Sequence, residues 1–346
     1  WSLNNNIKPL ALYNIRGYAM RKLLLGTTAL AAATAMSASA LADVSIAGSY
    51  EFKYGSRSSQ VAANDGTTMT HGDTDMVLTF TNKTDSGLTL SYRYDLSPAI
   101  GDGAGTTLDE NSLAISGGFG KIILGQDDDA GDTYNIDEMD LPTEEPTGTS
   151  ASASIGTSSA IASTDAMKIA YHLPAMGGLT AGLSFADSGT NSGTDTTSMG
   201  AQYAMDAGGA SITLGYAMKK TEAATKDTDQ TNMGVKVVSG DISLILSQGT
   251  YEAVDEDRDN QGASISYKMP NGMTVAGYTF KSEDALDVGE EYSRTGVEVA
   301  YTIASGLTAV VNVDDYDYKV TVANHESANT VVDNGTITQL TLKASF

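Results

Sequence analysis

The residues best equipped for chemistry lie in one stretch, 127–164, the longest polar insertion in the chain. It carries nine carboxylates: Asp127, Asp128, Asp129, Asp132, Asp137, Glu138, Asp140, Glu144 and Glu145. Carboxylates gathered along a narrow aqueous path attract cations and repel anions. The plain alternative is a solvated surface loop, because charge runs commonly just face water. A third reading is a metal site. Counted from Asp127, acids fall at the first, third and twelfth positions of a calcium-loop register, but Asp132 occupies the place where the sharp turn needs Gly. That argues against an EF-hand and leaves loosely bound Ca2+ or Mg2+ at Asp127, Asp128 and Asp129 as the metal alternative. No other cofactor is implied.

Catalytic chemistry finds little support. There is no Cys for a thiol nucleophile, and only three His are present. His71 and His325 fall in expected loops and His172 near a strand end, where it reads as a polar wall residue. Ser and Thr are abundant, but no G-x-S-x-G elbow joins a strand to a helix. The net charge of −23 argues against nucleic acid as a partner, because phosphate binding needs a basic face.

What must position the acidic stretch is a succession of short alternating segments. In 209–221, Ile212, Leu214, Tyr216 and Met218 share one face while Ser211, Thr213, Gly215 and Ala217 share the other. The stretches 263–269 and 87–95 repeat the pattern. A strand places such residues on opposite faces of one ribbon. Tight turns at Asp85-Ser86-Gly87, Gly117-Gly118, Met176-Gly177-Gly178, Ala207-Gly208-Gly209, Ser239-Gly240-Asp241, Pro270-Asn271-Gly272 and Ser305-Gly306 alternate with longer polar stretches. Those lie near 57–73, 97–106, 127–164, 188–196, 221–229, 252–260, 283–291 and 319–334.

Seven turns and eight loops join sixteen strands, read near 43–56, 74–84, 87–97, 107–117, 119–126, 165–173, 178–187, 195–206, 209–220, 230–239, 241–252, 260–269, 272–282, 291–303, 306–318 and 335–346. Backbone groups in lipid need internal partners, so a membrane sheet must close on itself. Short turns at one end and long loops at the other, with an apolar and a polar face, are the pattern of a transmembrane antiparallel β-barrel. A soluble sandwich would need a denser apolar core than 6 Phe and thinly spread aliphatics supply.

Before the first strand, Met20-Arg21-Lys22 leads into an apolar run ending Ala40-Leu41-Ala42. This is the pattern of a signal peptide over 20–42, cut after Ala42. Residues 1–19 read as an upstream extension outside the fold, and 43–346 as the barrel domain. Cutting after Ala42 takes away Lys8, Arg16, Arg21 and Lys22 and no acid, leaving the remainder more acidic.

Four features resemble the general porin family of Gram-negative bacteria, especially its alphaproteobacterial type. These are the start DVSIAGSYEFKYG, the FGKIILGQDDD segment at 119–129, the mature length, and the ending LTLKASF with Phe346 in phase with Leu340, Leu342 and Ala344. Ala344 departs from the aromatic often found there. The resemblance implies an outer-membrane porin for passive diffusion of small hydrophilic solutes and ions, and usually a homotrimer. It implies that Phe346 signals to the barrel-assembly machinery, with lipid and lipopolysaccharide around the wall. It also implies that the third loop folds into the lumen, with Asp132, Asp137, Glu138, Asp140, Glu144 and Glu145 at a constriction opposed by basic wall residues. Lys53, Arg93 and Lys168 fall on inward faces and take that wall role, with Lys236 and Lys268 also inward and Arg57 just past the first strand. The expected pore prefers cations. The competing function is a non-conducting barrel with a structural, adhesive or receptor role; an eight-strand barrel is filled whereas a sixteen-strand one leaves a channel.

Overall fold

In the computed structural model, residues 43–61, 64–72, 74–98, 106–144, 158–161, 163, 166–187, 194–222, 226–254, 256–284, 291–324 and 327–346 are described. The expected leader 20–42 and extension 1–19, together with Glu145, lie outside these residues.

Alternation produces strands throughout: β1 (Asp43–Ser59), β2 (Gly66–His71), β3 (Asp75–Lys83), β4 (Thr89–Pro98), β5 (Thr106–Gly117), β6 (Gly120–Gln126), β7 (Met167–His172), β8 (Leu179–Ala186), β9 (Thr196–Ala207), β10 (Ala210–Thr221), β11 (Thr228–Ser239), β12 (Ile242–Glu252), β13 (Asp257–Lys268), β14 (Met273–Asp284), β15 (Glu291–Ala304), β16 (Leu307–Asn324) and β17 (Ser327–Ser345). β2 and β3 lie in tandem along the same side of β1, so the wall is crossed sixteen times. All pairings are antiparallel, and β1 pairs with β17 from Ser49↔Ser345 to Ser59↔Gly335, which closes the sheet into a barrel. Closure leaves no ladder edge to lipid. At the end of this seam the Phe346 N–H donates to the Gly48 carbonyl (2.9 Å) and the Gly48 N–H to the Phe346 carbonyl (3.3 Å).

The two faces differ as the pleat requires. On β10, Leu214 and Tyr216 are each 45% exposed on the outside, while Ala217 between them and Met218 is fully covered inside. Val44, Ile46, Tyr50, Tyr92, Leu183, Leu246, Val297 and Leu340 are also exposed. An exposed apolar band of this kind meets hydrocarbon. At one end the hairpins are tight. Gly208 and Gly209 both take positive φ (60° and 92°), which lets a two-residue turn join Ala207 to its partner Ala210.

At the other end the strands run farther than the alternation indicated. β16 and β17 extend to Asn324 and from Ser327, so the stretch expected as a loop at 319–334 is mostly ladder, with Asp317↔Asn334 and Val320↔Val331 paired. β1 likewise continues to Ser59, placing Arg57 within the strand rather than past it. The backbone pairing there continues past the stretch whose side-chain alternation marks a strand.

Candidate functional site

The segment after β6 turns inward and packs on the inner wall. Its first regular piece is α1 (Ala130–Tyr134), followed by a single 3-10 turn at Glu138–Asp140. The wall receives it with glycines whose missing side chains the loop occupies. A Cβ on Gly200 would lie 2.8 Å from Tyr134 Cβ, and one on Gly215 would lie 2.8 Å from Ile136 Cγ1. On Gly234 it would lie 2.6 Å from Ile136 Cβ, on Gly249 2.6 Å from the Ser159 carbonyl oxygen, and on Gly262 2.7 Å from Glu138 Cγ. A glycine in a strand is otherwise a weakening choice, and here it makes room for close approach.

The described part of the loop is held by polar contacts along the wall. The Ala130 N–H donates to Ser184 Oγ and the Gly131 N–H to Ser198 Oγ, both at 2.9 Å. Tyr134 Oη lies 2.9 Å from His172 Nδ1 on β7. Asn232 on β11 accepts from the Ile136 N–H at 3.3 Å and donates to the Ser159 carbonyl at 2.8 Å. At the far end Glu298 on β15 accepts from the Thr143 N–H (2.8 Å) and hydroxyl (2.8 Å) and from the Glu144 N–H (2.8 Å). Asn312 on β16 donates to Glu298 at 3.1 Å. The chain thus follows the inner wall from β7 to the β17–β1 seam.

The carboxylates of the loop have specific partners. Asp129 is buried between two ammoniums, 2.9 Å from Lys168 Nζ on β7 and 2.9 Å from Lys219 Nζ on β10. Burial alone would raise its carboxyl, but Lys219 and Lys168 outweigh that and hold it below the usual range. Asp137 caps the 3-10 turn, accepting from the Met139 N–H at 2.7 Å, and its own N–H donates to Asp140 Oδ1 at 3.3 Å. Glu138 points into the wall, accepting from Ser159 Oγ (2.8 Å) and Ser247 Oγ (2.9 Å). Burial pushes it up to about 7, the adjacent Asp137 adding to the shift. Glu144 lies 2.8 Å from Lys53 Nζ on β1 and 2.5 Å from Lys343 Nζ on β17. Asp127 accepts from Ser112 Oγ at 2.6 Å. Asp128 and Asp132 are buried and Asp140 half-buried.

A simple ring of lumen-facing carboxylates is therefore not the arrangement: Asp129, Asp137, Glu138 and Glu144 are engaged as anchors. Arg93 pairs with two acids of its own wall, Asp95 (2.5 Å) and Glu110 (2.6 Å). The metal expectation at Asp127, Asp128 and Asp129 meets the two lysines at Asp129. Among the described residues the acids that bring ligand oxygens within 4.8 Å of one another are Asp75, Asp95 and Asp109. Sequence reasoning missed Glu51, Lys219, Glu298 and Lys343. Glu51 and Glu298 carried a usable signal, a charge at the inward phase between Tyr50 and Phe52 and between Val297 and Val299.

Solved porin structures share this architecture. An anion-selective porin from Comamonas acidovorans aligns with a TM-score of 0.62 at 18% identity, over 88% of this chain and 100% of that one. A mutant of the Rh. blastica porin gives 0.64 at 17% identity over the same shares, and the trimer form of OmpT, an outer membrane protein of Vibrio cholerae, gives 0.64 at 14%, again over the same shares. No curated protein matches. At these identities the likeness speaks for the fold, and the family follows from a separate match of residues 26–332 to the Gram-negative porin model: the chain belongs to that family and forms an outer-membrane channel for passive diffusion.

Proposed function

We propose that this channel prefers cations and works as a diffusion pore rather than an enzyme, passing small hydrophilic solutes and ions. One observation carries the preference. Acids concentrate where the loop leaves the wall: Asp75, Asp95, Asp109 and Glu110 on β3 to β5 and Asp127 and Asp128 beside them, against Arg93 and Lys121. Asp127 accepts from Ser112 Oγ on β5 at 2.6 Å, and fields in a narrow lumen are focused by its low-dielectric walls. The Comamonas relative is an anion-selective porin, so this fold does not fix the sign of selectivity; the charges lining each pore do.

The test is the reversal potential of the refolded protein in a planar bilayer under a salt gradient. A potential of cation-selective sign supports the reading, and one of anion-selective sign overturns it. Asp127→Asn with Asp128→Asn should reduce the preference, whereas neutralising Asp137, Glu138 and Asp140 together should act mainly on loop seating. The working assembly in this proposal is a homotrimer, the form described for the Vibrio OmpT structure, embedded in lipid and lipopolysaccharide and delivered by the barrel-assembly machinery through the strand ending at Phe346. Light scattering of the detergent-extracted protein tests the trimer.

A further inference from the structure

We infer that the third loop is a strap across the barrel's closing seam, so that loop docking and seam closure stabilise each other. The pocket that receives Glu144 is built half from the first strand and half from the last. Lys53 belongs to β1 and Lys343 to β17, and both ammoniums reach the one carboxylate. Lys343 also donates to the Thr143 carbonyl. On the seam itself Glu51 stands directly opposite Lys343 in the β1–β17 register, with its carboxylate 3.6 Å from the ammonium. Glu51 also lies 3.9 Å from Lys53 Nζ. The groups facing Glu144 are thus Lys53 and Glu51 from β1 and Lys343 from β17. Its own N–H and that of Thr143 are fixed by Glu298 of β15, and its carbonyl accepts from Asn312 of β16 at 3.3 Å.

Before β1 meets β17, no such pair of lysines exists. Once the strands pair, the pocket is complete and the strap spans β15, β16, β17 and β1. Coupling of this kind is reciprocal: whatever closure adds to docking, docking adds to closure.

The experiment uses the full chain folded in detergent and follows its unfolding rate in denaturant. Glu144→Gln removes the shared negative charge and leaves Lys53 and Lys343 with Glu51 as their remaining carboxylate, and it should speed unfolding about ten- to a hundredfold, as loss of one partner from a buried ion pair does. A disulfide staple is then placed between Tyr50 and Ala344, which are opposed in the seam. The chain has no other Cys to interfere. In the oxidised staple the effect of E144Q should shrink to less than about threefold, and reduction should restore it. Lys53→Met and Lys343→Met, each removing one half of the pocket, should show the same staple dependence and serve if E144Q does not fold. Acceleration of equal size with and without the staple, or none in either, overturns the inference.

Discussion

Replacing Asp129 by Asn leaves Lys168 and Lys219 facing an amide in a site where their side chains are 0% and 4% exposed. Removing one partner of a buried pair costs about 3–5 kcal/mol, mostly because the remaining charge has nothing to neutralise it. Two ammoniums lose their shared carboxylate here, although the nearby aqueous lumen gives them an escape if the loop yields. Taking about 3 kcal/mol as the working figure, the balance between seated and unseated loop shifts by roughly a hundredfold. The base of the loop, where Ala130 and Gly131 hang from Ser184 and Ser198, should then leave the wall for a measurable fraction of the time. In single-channel records D129N should show a larger mean conductance and added current noise, and the loop should be cut faster by a protease added from outside. Lys168→Met placed on D129N removes one of the two ammoniums that shared the lost carboxylate, with little change in volume, and should recover much of the parent behaviour, giving a double-mutant cycle with coupling above about 1 kcal/mol. If D129N matches the parent in conductance, noise and cleavage, the lysine pair is not what seats the loop.

The glycine track makes a steric prediction. Gly234→Val puts a side chain where Ile136 Cβ would be only 2.6 Å away and should cost about 1–3 kcal/mol of loop seating, read as increased channel noise, while Gly277→Ala, whose Cβ meets nothing nearer than 3.9 Å, should be silent. Glu138 makes a pH prediction. Because the seated loop holds its proton more tightly than the free carboxyl does, seating is most favourable below pH 4.5 and weakens as pH rises through about 7. Channel noise should grow across that window, and Glu138→Gln should flatten the dependence. At the seam, Asp333 accepts from Arg57 (2.6 Å), Asn64 (2.8 Å) and Ser59 (2.5 Å). Asp333→Asn should lower barrel stability by about 1–3 kcal/mol in denaturant titrations, without altering ion preference.

The barrel was legible because a membrane imposes two solvents on one ribbon, and the alternation at Ile212, Leu214 and Tyr216 records that directly. It stopped short at 319–334, which read as a loop although Val320↔Val331 and Asn324↔Ser327 are paired, because backbone pairing by itself leaves no mark in the side-chain pattern. The acidic loop was legible as a charge-rich insertion, but not the direction of its charges. Asp129 finds Lys219 ninety residues away, and Glu144 finds Lys343 across the closure of the whole sheet. Such partners depend on register around the barrel, which no local pattern encodes. A carboxylate at a cation filter and one that nails a loop to a wall look alike in sequence, and they are separated only by what lies across from them.

The glycines add the step that joins wall and loop. Each of Gly200, Gly215, Gly234, Gly249 and Gly262 sits on an inward face and weakens its strand by roughly 0.5–1 kcal/mol relative to Ala. A bare aqueous lumen gives no reason to accept this, since a Ser or Ala there would meet only water. The positions make sense when the loop's own atoms fill the vacated space: Tyr134 over Gly200, Ile136 over Gly215 and Gly234, the Ser159 carbonyl over Gly249 and Glu138 over Gly262. What five strands give up in local stability is offset by burying Ile136 and Met139, each about 2% exposed or less, against the inner wall. The loop is therefore a second layer of the wall.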